Sequence, residues 1–175
     1  MVHKPELDNI ELLVMDVDGV LTDGGVIINA DGSESKRFNV LDGHGIRMWH
    51  RAGLKTAIMS GRTTEATQYR AEQLEITYIY QGCTQKVPAF EKLLEESGLS
   101  AERVAYIGDD VLDLPVMKRA GFAVAVSNAV DEVKQQAHYV TKLGGGCGAV
   151  REVIEYILKK KKGGDWTKLM ERYLA

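Results

Sequence analysis

Residues 12–24 read LLVMDVDGVLTDG: an apolar run closes on two aspartates, Asp16 and Asp18, with one valine between them and a glycine behind. In extended backbone, residues i and i+2 project to the same side, so the two carboxylates converge while Val17 points away. Such a pair can divide the work at a phosphorus centre, one carboxylate attacking while the other moves protons. A turn or a helix cap would need only one polar residue, and GVLTDGG after the pair is no helix start.

Three further apolar runs end in matching groups. LKTAIMSGR closes on Ser60 and Gly61, Lys86 follows ITYIYQGCTQ, and VAYIGDDVLD closes on Asp109, Asp110 and, three residues on, Asp113. If these ends converge, five carboxylates and one lysine carry a formal charge of −4. Mutual repulsion at that density raises carboxylate pKa values. A hard divalent cation relieves it, and an all-oxygen set without histidine or thiolate favours Mg²⁺, which keeps some waters and meets phosphate oxygens.

The elements that must position these groups are legible as short apolar runs at 10–15, 54–60, 76–80, 103–108, 123–126 and 138–141, separated by helical patterns at 63–74, 84–98, 111–121 and 130–137. Strand alternating with helix predicts an α/β fold on a mostly parallel sheet, and open sheets of this kind place their ligands at the carboxyl ends of the strands. Residues 24–39, GGVIINADGSESKRFN, break the rhythm and read as a β-hairpin turning at Asp31-Gly32, a pair suited to positive φ. GAVREVIEYILKKKK (148–162) reads as an amphipathic helix stopped by Gly163-Gly164. The tail DWTKLMERYLA has short-helix character, with no partner for its apolar residues evident in the sequence.

A chain of 175 residues, 45% hydrophobic, fits one domain (1–175) with a core of its own. The net charge of −3 leaves any anionic ligand to a local cluster of cations, and without a basic stripe nucleic acid is not expected as a partner. Two cysteines, Cys83 and Cys147, suit a reducing compartment better than a disulfide framework. The N-terminal MVHKPELDN lacks the apolar core of a leader, and no stretch approaches the roughly 20 residues of a membrane span, so a cytoplasmic protein is expected. His44, His50, His138, Trp49, Tyr69 and Tyr106 read as packing or surface positions, with His44 in DGHGI the one near enough for a substrate contact.

DVDGVLT, SG, Lys86 and GDDVLD, in that order over about a hundred residues, resemble the four signatures of the haloacid dehalogenase-like phosphohydrolases. The resemblance implies a Rossmann-like three-layer sandwich, with Asp16 as the nucleophile that becomes an aspartyl-phosphate and Asp18 as general acid and base. It also implies that Ser60 and the Gly61 amide hold the phosphoryl oxygens and that Lys86 neutralises them. Mg²⁺ would be held by Asp16, the Asp18 carbonyl and Asp109, with Asp110 and Asp113 supporting them. The gaps between signatures, about forty residues from Asp18 to Ser60 and about twenty-five on to Lys86, leave no room for a cap domain.

Within that superfamily, FNVLDGHGIR (38–47), SGR (60–62) with Arg70 beyond it, GDDVLDLPVM and GGGCGAVREV (144–153) are similar to the capless 3-deoxy-D-manno-octulosonate 8-phosphate phosphatases. That likeness implies substrate contacts from Asp18, Asn39, Val40, Leu41, Asp42, Gly43, Arg47, Gly61, Arg62, Arg70 and Lys86, and a homotetramer whose subunits shield one another's sites. Arginine suits the carboxylate of a sugar acid because its fork binds bidentately. Two features depart from the family: Leu41 stands where a polar residue is expected, and the tail after residue 160 does not match its glycine-rich tail. A phosphatase of the related nononate 9-phosphates is the neighbouring alternative. A phospho-accepting receiver module would lack Asp18, and a silent interaction subunit would have lost one of Asp16, Asp18, Lys86 or Asp109.

Overall fold

The computed structural model describes residues 5–163 and 165–174. The first four residues of the N-terminal stretch read against a leader (Met1 to Lys4) and the second glycine of the helix stop (Gly164) lie outside them.

Six parallel strands form one sheet in the order β5-β4-β1-β6-β7-β8: β1 (Leu12–Met15), β4 (Lys55–Met59), β5 (Tyr78–Tyr80), β6 (Val104–Gly108), β7 (Phe122–Ala125) and β8 (Tyr139–Val140). β1, β6 and β7 are buried at every position, as expected where helices cover both faces. β1 pairs with β4 from Leu12↔Lys55 to Met15↔Ile58, and with β6 from Leu12↔Val104 to Met15↔Ile107. The chain runs outward from β1 to β4 and β5, then returns across β1 to β6. The strand order therefore reverses beside β1, and a crevice opens at the carboxyl ends of these strands.

The helices are α1 (Val40–Arg51), α2 (Glu65–Gln73), α3 (Lys86–Ser97), α4 (Leu114–Met117), α5 (Asp131–Gln136), α6 (Ala149–Lys160) and α7 (Asp165–Leu174). α4 is shorter than the pattern over 111–121 suggests. Val111–Asp113 form a 3₁₀ turn before it, and the chain behind it is drawn against a neighbouring turn, where a Cβ on Gly121 would lie 1.9 Å from the Glu102 carbonyl oxygen.

The hairpin forms, with short arms β2 (Ile27–Ile28) and β3 (Glu34–Ser35) paired antiparallel. Of the Asp31-Gly32 pair only Gly32 takes positive φ, at 84°. Asp31 serves the turn through its side chain instead, Oδ1 accepting from the Ser33 amide at 2.9 Å.

The tail corrects the expectation of unpartnered apolar residues. α7 lies against α6, with Leu169 buried in the main core and Trp166 and Met170 packed on it. The Lys159 ammonium sits 4.4 Å from the centre of the Trp166 ring, and His44 Nε2 lies 2.9 Å from the Tyr173 hydroxyl, which ties α7 to α1.

Candidate active site

Asp16 is the first residue past β1, and its carboxylate is fixed at both oxygens. Oδ1 accepts from the Val17 amide at 2.6 Å, and Oδ2 meets Lys86 Nζ at 2.8 Å. Lys86 opens α3 and is buried; its ammonium also contacts Asp113 Oδ1 at 2.6 Å. Asp113 has no solvent exposure. The Tyr106 hydroxyl donates to its Oδ1 at 2.7 Å, while the backbone amides of Asp109 and Asp110 donate to its Oδ2 at 3.0 and 3.3 Å. Asp113 thus fastens the loop after β6 to the lysine in front of β1. Asp110 caps the turn, its Oδ1 accepting from the Val111 amide at 2.7 Å.

One carboxylate oxygen from each of Asp16, Asp109 and Asp113 lies within 4.8 Å of the other two. Burial is the main force lifting Asp109 to a pKa of about 7, with the Asp16 and Asp113 charges adding to it. Burial likewise lifts Asp16 to about 6, opposed by Lys86 and reinforced by Asp113. One lysine therefore does not neutralise the cluster. The residues fit a hard divalent cation, since the donors are all oxygen and two of them hold protons more tightly than an ordinary carboxylate without one.

Backbone packing brings Asp109 to this place. Gly19 has φ 86°, and a Cβ on it would fall 2.0 Å from Asp109 Oδ2. The loop 144–148 seals the other side, with a Cβ on Gly145 falling 1.8 Å from the Gly19 carbonyl oxygen. Asn128 joins the two loops, donating from Nδ2 to the Gly19 carbonyl at 3.2 Å and accepting from the Gly145 amide at 2.6 Å.

Asp18 faces a partner the sequence did not suggest. Lys36, just past β3, donates from Nζ to Asp18 Oδ1, and its side chain is only 3% exposed. Asp18 Oδ2 is buried and has no hydrogen-bond partner. Two residues before Lys36, Glu34 pairs with the Arg62 guanidinium. Residues 34 and 36 turn inward while Ser35 and Arg37 are exposed, so one edge of the hairpin lies along the crevice.

The remaining candidates are dispersed. Ser60 is buried past β4, its Oγ accepting from the Arg62 amide at 3.2 Å, and Gly61 follows it half-buried. Asn39 caps α1 through the Leu41 amide at 2.8 Å and donates to the Gly146 carbonyl at 3.1 Å. Val40 and Leu41 are exposed. Asp42 turns away into the protein, where its carboxylate accepts from the Gly148 and Arg151 amides at 3.2 and 2.9 Å and so caps α6. Arg47 and Arg70 gather on Gln73 at the end of α2, at 2.9 and 2.5 Å, and not on the carboxylate cluster. Burial and the Arg47 charge push Arg70 down from the ordinary arginine range; its Nε is buried without a partner, and a Cβ on Gly43 would meet its guanidinium at 2.5 Å.

Sequence reasoning missed Lys36, Asn128 and the hydroxyl of Tyr106. The alternation of Glu34 and Lys36 on one edge of the hairpin was the available signal for the first. For the other two no local pattern distinguishes them from ordinary loop and core residues.

Residues 78–154 match the haloacid dehalogenase-like hydrolase family. The 3-deoxy-D-manno-octulosonate 8-phosphate phosphatase KdsC of Escherichia coli (strain K12) is 46% identical over 151 residues, which cover 86% of this chain and 80% of the relative. The chain belongs to this family of haloacid dehalogenase-like phosphatases. The crystal structure of the family's member from Yersinia pestis superposes with a TM-score of 0.86 at 46% identity, covering 87% of this chain and 83% of that one. The member from Moraxella catarrhalis, in complex with magnesium ion, phosphate ion and a KDO molecule, superposes with a TM-score of 0.89 at 39% identity over 94% of both chains. The mostly parallel α/β sheet is thus the family's fold.

Proposed function

We propose that this chain is a Mg²⁺-dependent phosphomonoesterase that hydrolyses 3-deoxy-D-manno-octulosonate 8-phosphate to the free sugar acid and phosphate, a step in supplying lipopolysaccharide precursors. The observation that carries the reading is the two-sided hold on Asp16. The Val17 amide and Lys86 clamp a carboxylate at the switch point of the sheet, with Asp18 two residues beyond.

Asp16 attacks phosphorus, and the bond from phosphorus to the ester oxygen breaks as that oxygen takes a proton from Asp18. In the second half, the Asp18 carboxylate takes a proton from water as its oxygen attacks the same phosphorus and releases Asp16. Lys86 and the Ser60–Gly61 loop stabilise charge on the phosphoryl oxygens. Asp16 and Asp109, with the Asp18 carbonyl, would hold the Mg²⁺, which when bound offsets the charge between carboxylate and phosphate. Asp110 and Asp113 keep these groups in place.

Arg62 is the candidate for the substrate's carboxylate. Asn39, Val40, Leu41, Asp42, Gly43, Arg47 and Arg70 form the remainder of the substrate-binding proposal, Asp42 and Gly43 acting through the packing of α1. The single-domain reading of 1–175 extends to a cytoplasmic homotetramer. Val26, Ile27 and Ile28 give the hairpin exposed apolar surface that supports subunit packing; a single monomer mass in light scattering would remove that part of the reading.

Phosphate release from the octulosonate 8-phosphate, the nononate 9-phosphates and neutral hexose phosphates, with Mg²⁺ and with EDTA, tests the whole. A Mg²⁺-dependent preference for the octulosonate ester is expected. Preference for a nononate would keep the chemistry and change the substrate.

A further inference from the structure

We propose that Lys36 is a positioning residue of the active site, delivered by the hairpin, which fixes the Asp18 carboxylate for proton transfer; the inference rests on the phosphatase reading above. A lone carboxylate turns freely about its terminal torsion and presents either oxygen. Here the two oxygens differ. Lys36 Nζ holds Oδ1, and Oδ2 is enclosed without any hydrogen-bond partner. The contact to Lys36 therefore restricts that rotation and holds the carboxylate in one orientation for giving its proton to the departing ester oxygen and later taking one from water.

Lys86 does not serve Asp18, because its ammonium pairs with Asp16 and Asp113. The cation at Asp18 comes from the hairpin. Nor is Lys36 the hairpin's sole hold, since the Glu34–Arg62 pair also fastens that edge to the loop after β4. The burial of the Lys36 side chain sets it apart from the exposed Arg37 beside it.

A misplaced proton donor slows a reaction most when the leaving oxygen is strongly basic and least when it departs readily as an anion. The test compares the full-length chain with Lys36→Gln, Lys36→Met and Lys36→Arg, in Mg²⁺, on 3-deoxy-D-manno-octulosonate 8-phosphate and on p-nitrophenyl phosphate. Gln and Met are expected to lower kcat on the alkyl ester by about 10- to 100-fold and on the aryl ester by less than about 3-fold, with Arg recovering most of the loss. Gln keeps the site polar and filled, so the comparison survives a misfolded Met variant. Equal losses on both esters would reduce Lys36 to a structural anchor, and no loss on either would make it a bystander; both overturn the proposal. An unaltered chain without Mg²⁺-dependent activity on either ester would instead overturn the phosphatase reading, and is distinguishable because it shows before any substitution.

Discussion

Lys86 and Asp113 form a 2.6 Å ion pair in which the carboxylate has no solvent exposure and the ammonium almost none. Asp113 is itself held by Tyr106 and by the Asp109 and Asp110 amides, so the lysine that faces the phosphate is located from the loop behind β6. Removing Asp113 leaves Lys86 with Asp16 alone and takes the acceptor from the Tyr106 hydroxyl and two backbone amides. Asp113→Ala should lower the unfolding free energy by about 3–5 kcal/mol in urea titrations, and the activity that remains should fall about 10- to 100-fold. Unchanged stability would mean that Lys86 finds its place without Asp113.

The raised carboxylates set a pH dependence whose sign is fixed. Asp16 at about 6 and Asp109 at about 7 bind protons more tightly in the folded protein than at the ordinary 3.8. Without metal, their contribution to stability is fully present below about pH 4 and is lost as pH rises through 6 to 7. A divalent cation competes with those protons, so its stabilisation grows over the same interval. Melting curves with Mg²⁺ and with EDTA should differ little at pH 5 and clearly at pH 8, and Asp109→Asn should erase the difference. An equal Mg²⁺ effect at both pH values would place the cation elsewhere.

The two aspartates of the opening motif should separate by substitution. Asp16→Asn removes the attacking oxygen, and turnover should drop at least about a thousandfold while circular dichroism stays unchanged. Asp18→Asn keeps the nucleophile, so it should slow turnover by about 10²–10⁴-fold and leave phosphate covalently on the protein long enough for mass spectrometry to detect it. Full turnover in either variant would remove that residue from its role.

The sheet was legible because each buried strand is a run of apolar residues that ends in a polar group, and alternation with helices implies parallel strands; the strand order was not. The carboxylate cluster was legible for the same reason, as Asp16 and Asp109 follow directly on β1 and β6. What stayed hidden depends on contacts distant in sequence. Asp42 sits among candidate substrate residues in the chain, yet the amides that donate to it lie 106 and 109 positions away at the start of α6. Lys36 reads as an ordinary hairpin lysine until the hairpin is folded back on Asp18, 18 positions earlier.

Arg62 is held by Glu34 in the structure, so a substrate carboxylate must displace a carboxylate already there. The pair is partly exposed, and such pairs contribute about 0–1 kcal/mol. Glu34→Gln should therefore lower KM for the sugar-acid ester by up to about fivefold and leave KM for p-nitrophenyl phosphate unchanged. Arg62→Ala should raise KM for the first substrate far more than for the second. Equal effects on both esters would mean that Arg62 does not read the carboxylate.

α7 gives the last prediction, because its contacts separate stability from chemistry. Leu169 is 3% exposed and joins the main core from a segment whose apolar residues had no evident partner in the sequence. Truncating a buried leucine removes its transfer free energy and leaves a cavity, so Leu169→Ala should cost about 2–5 kcal/mol in urea denaturation. The helix meets α1 through Tyr173 at His44 and Arg51, on residues outside the carboxylate cluster. kcat at a temperature where the variant stays folded should accordingly match the unaltered chain. A stability unchanged by Leu169→Ala would show that α7 is not docked in solution, and a lowered kcat in the folded variant would show that its docking is felt at the site through α1.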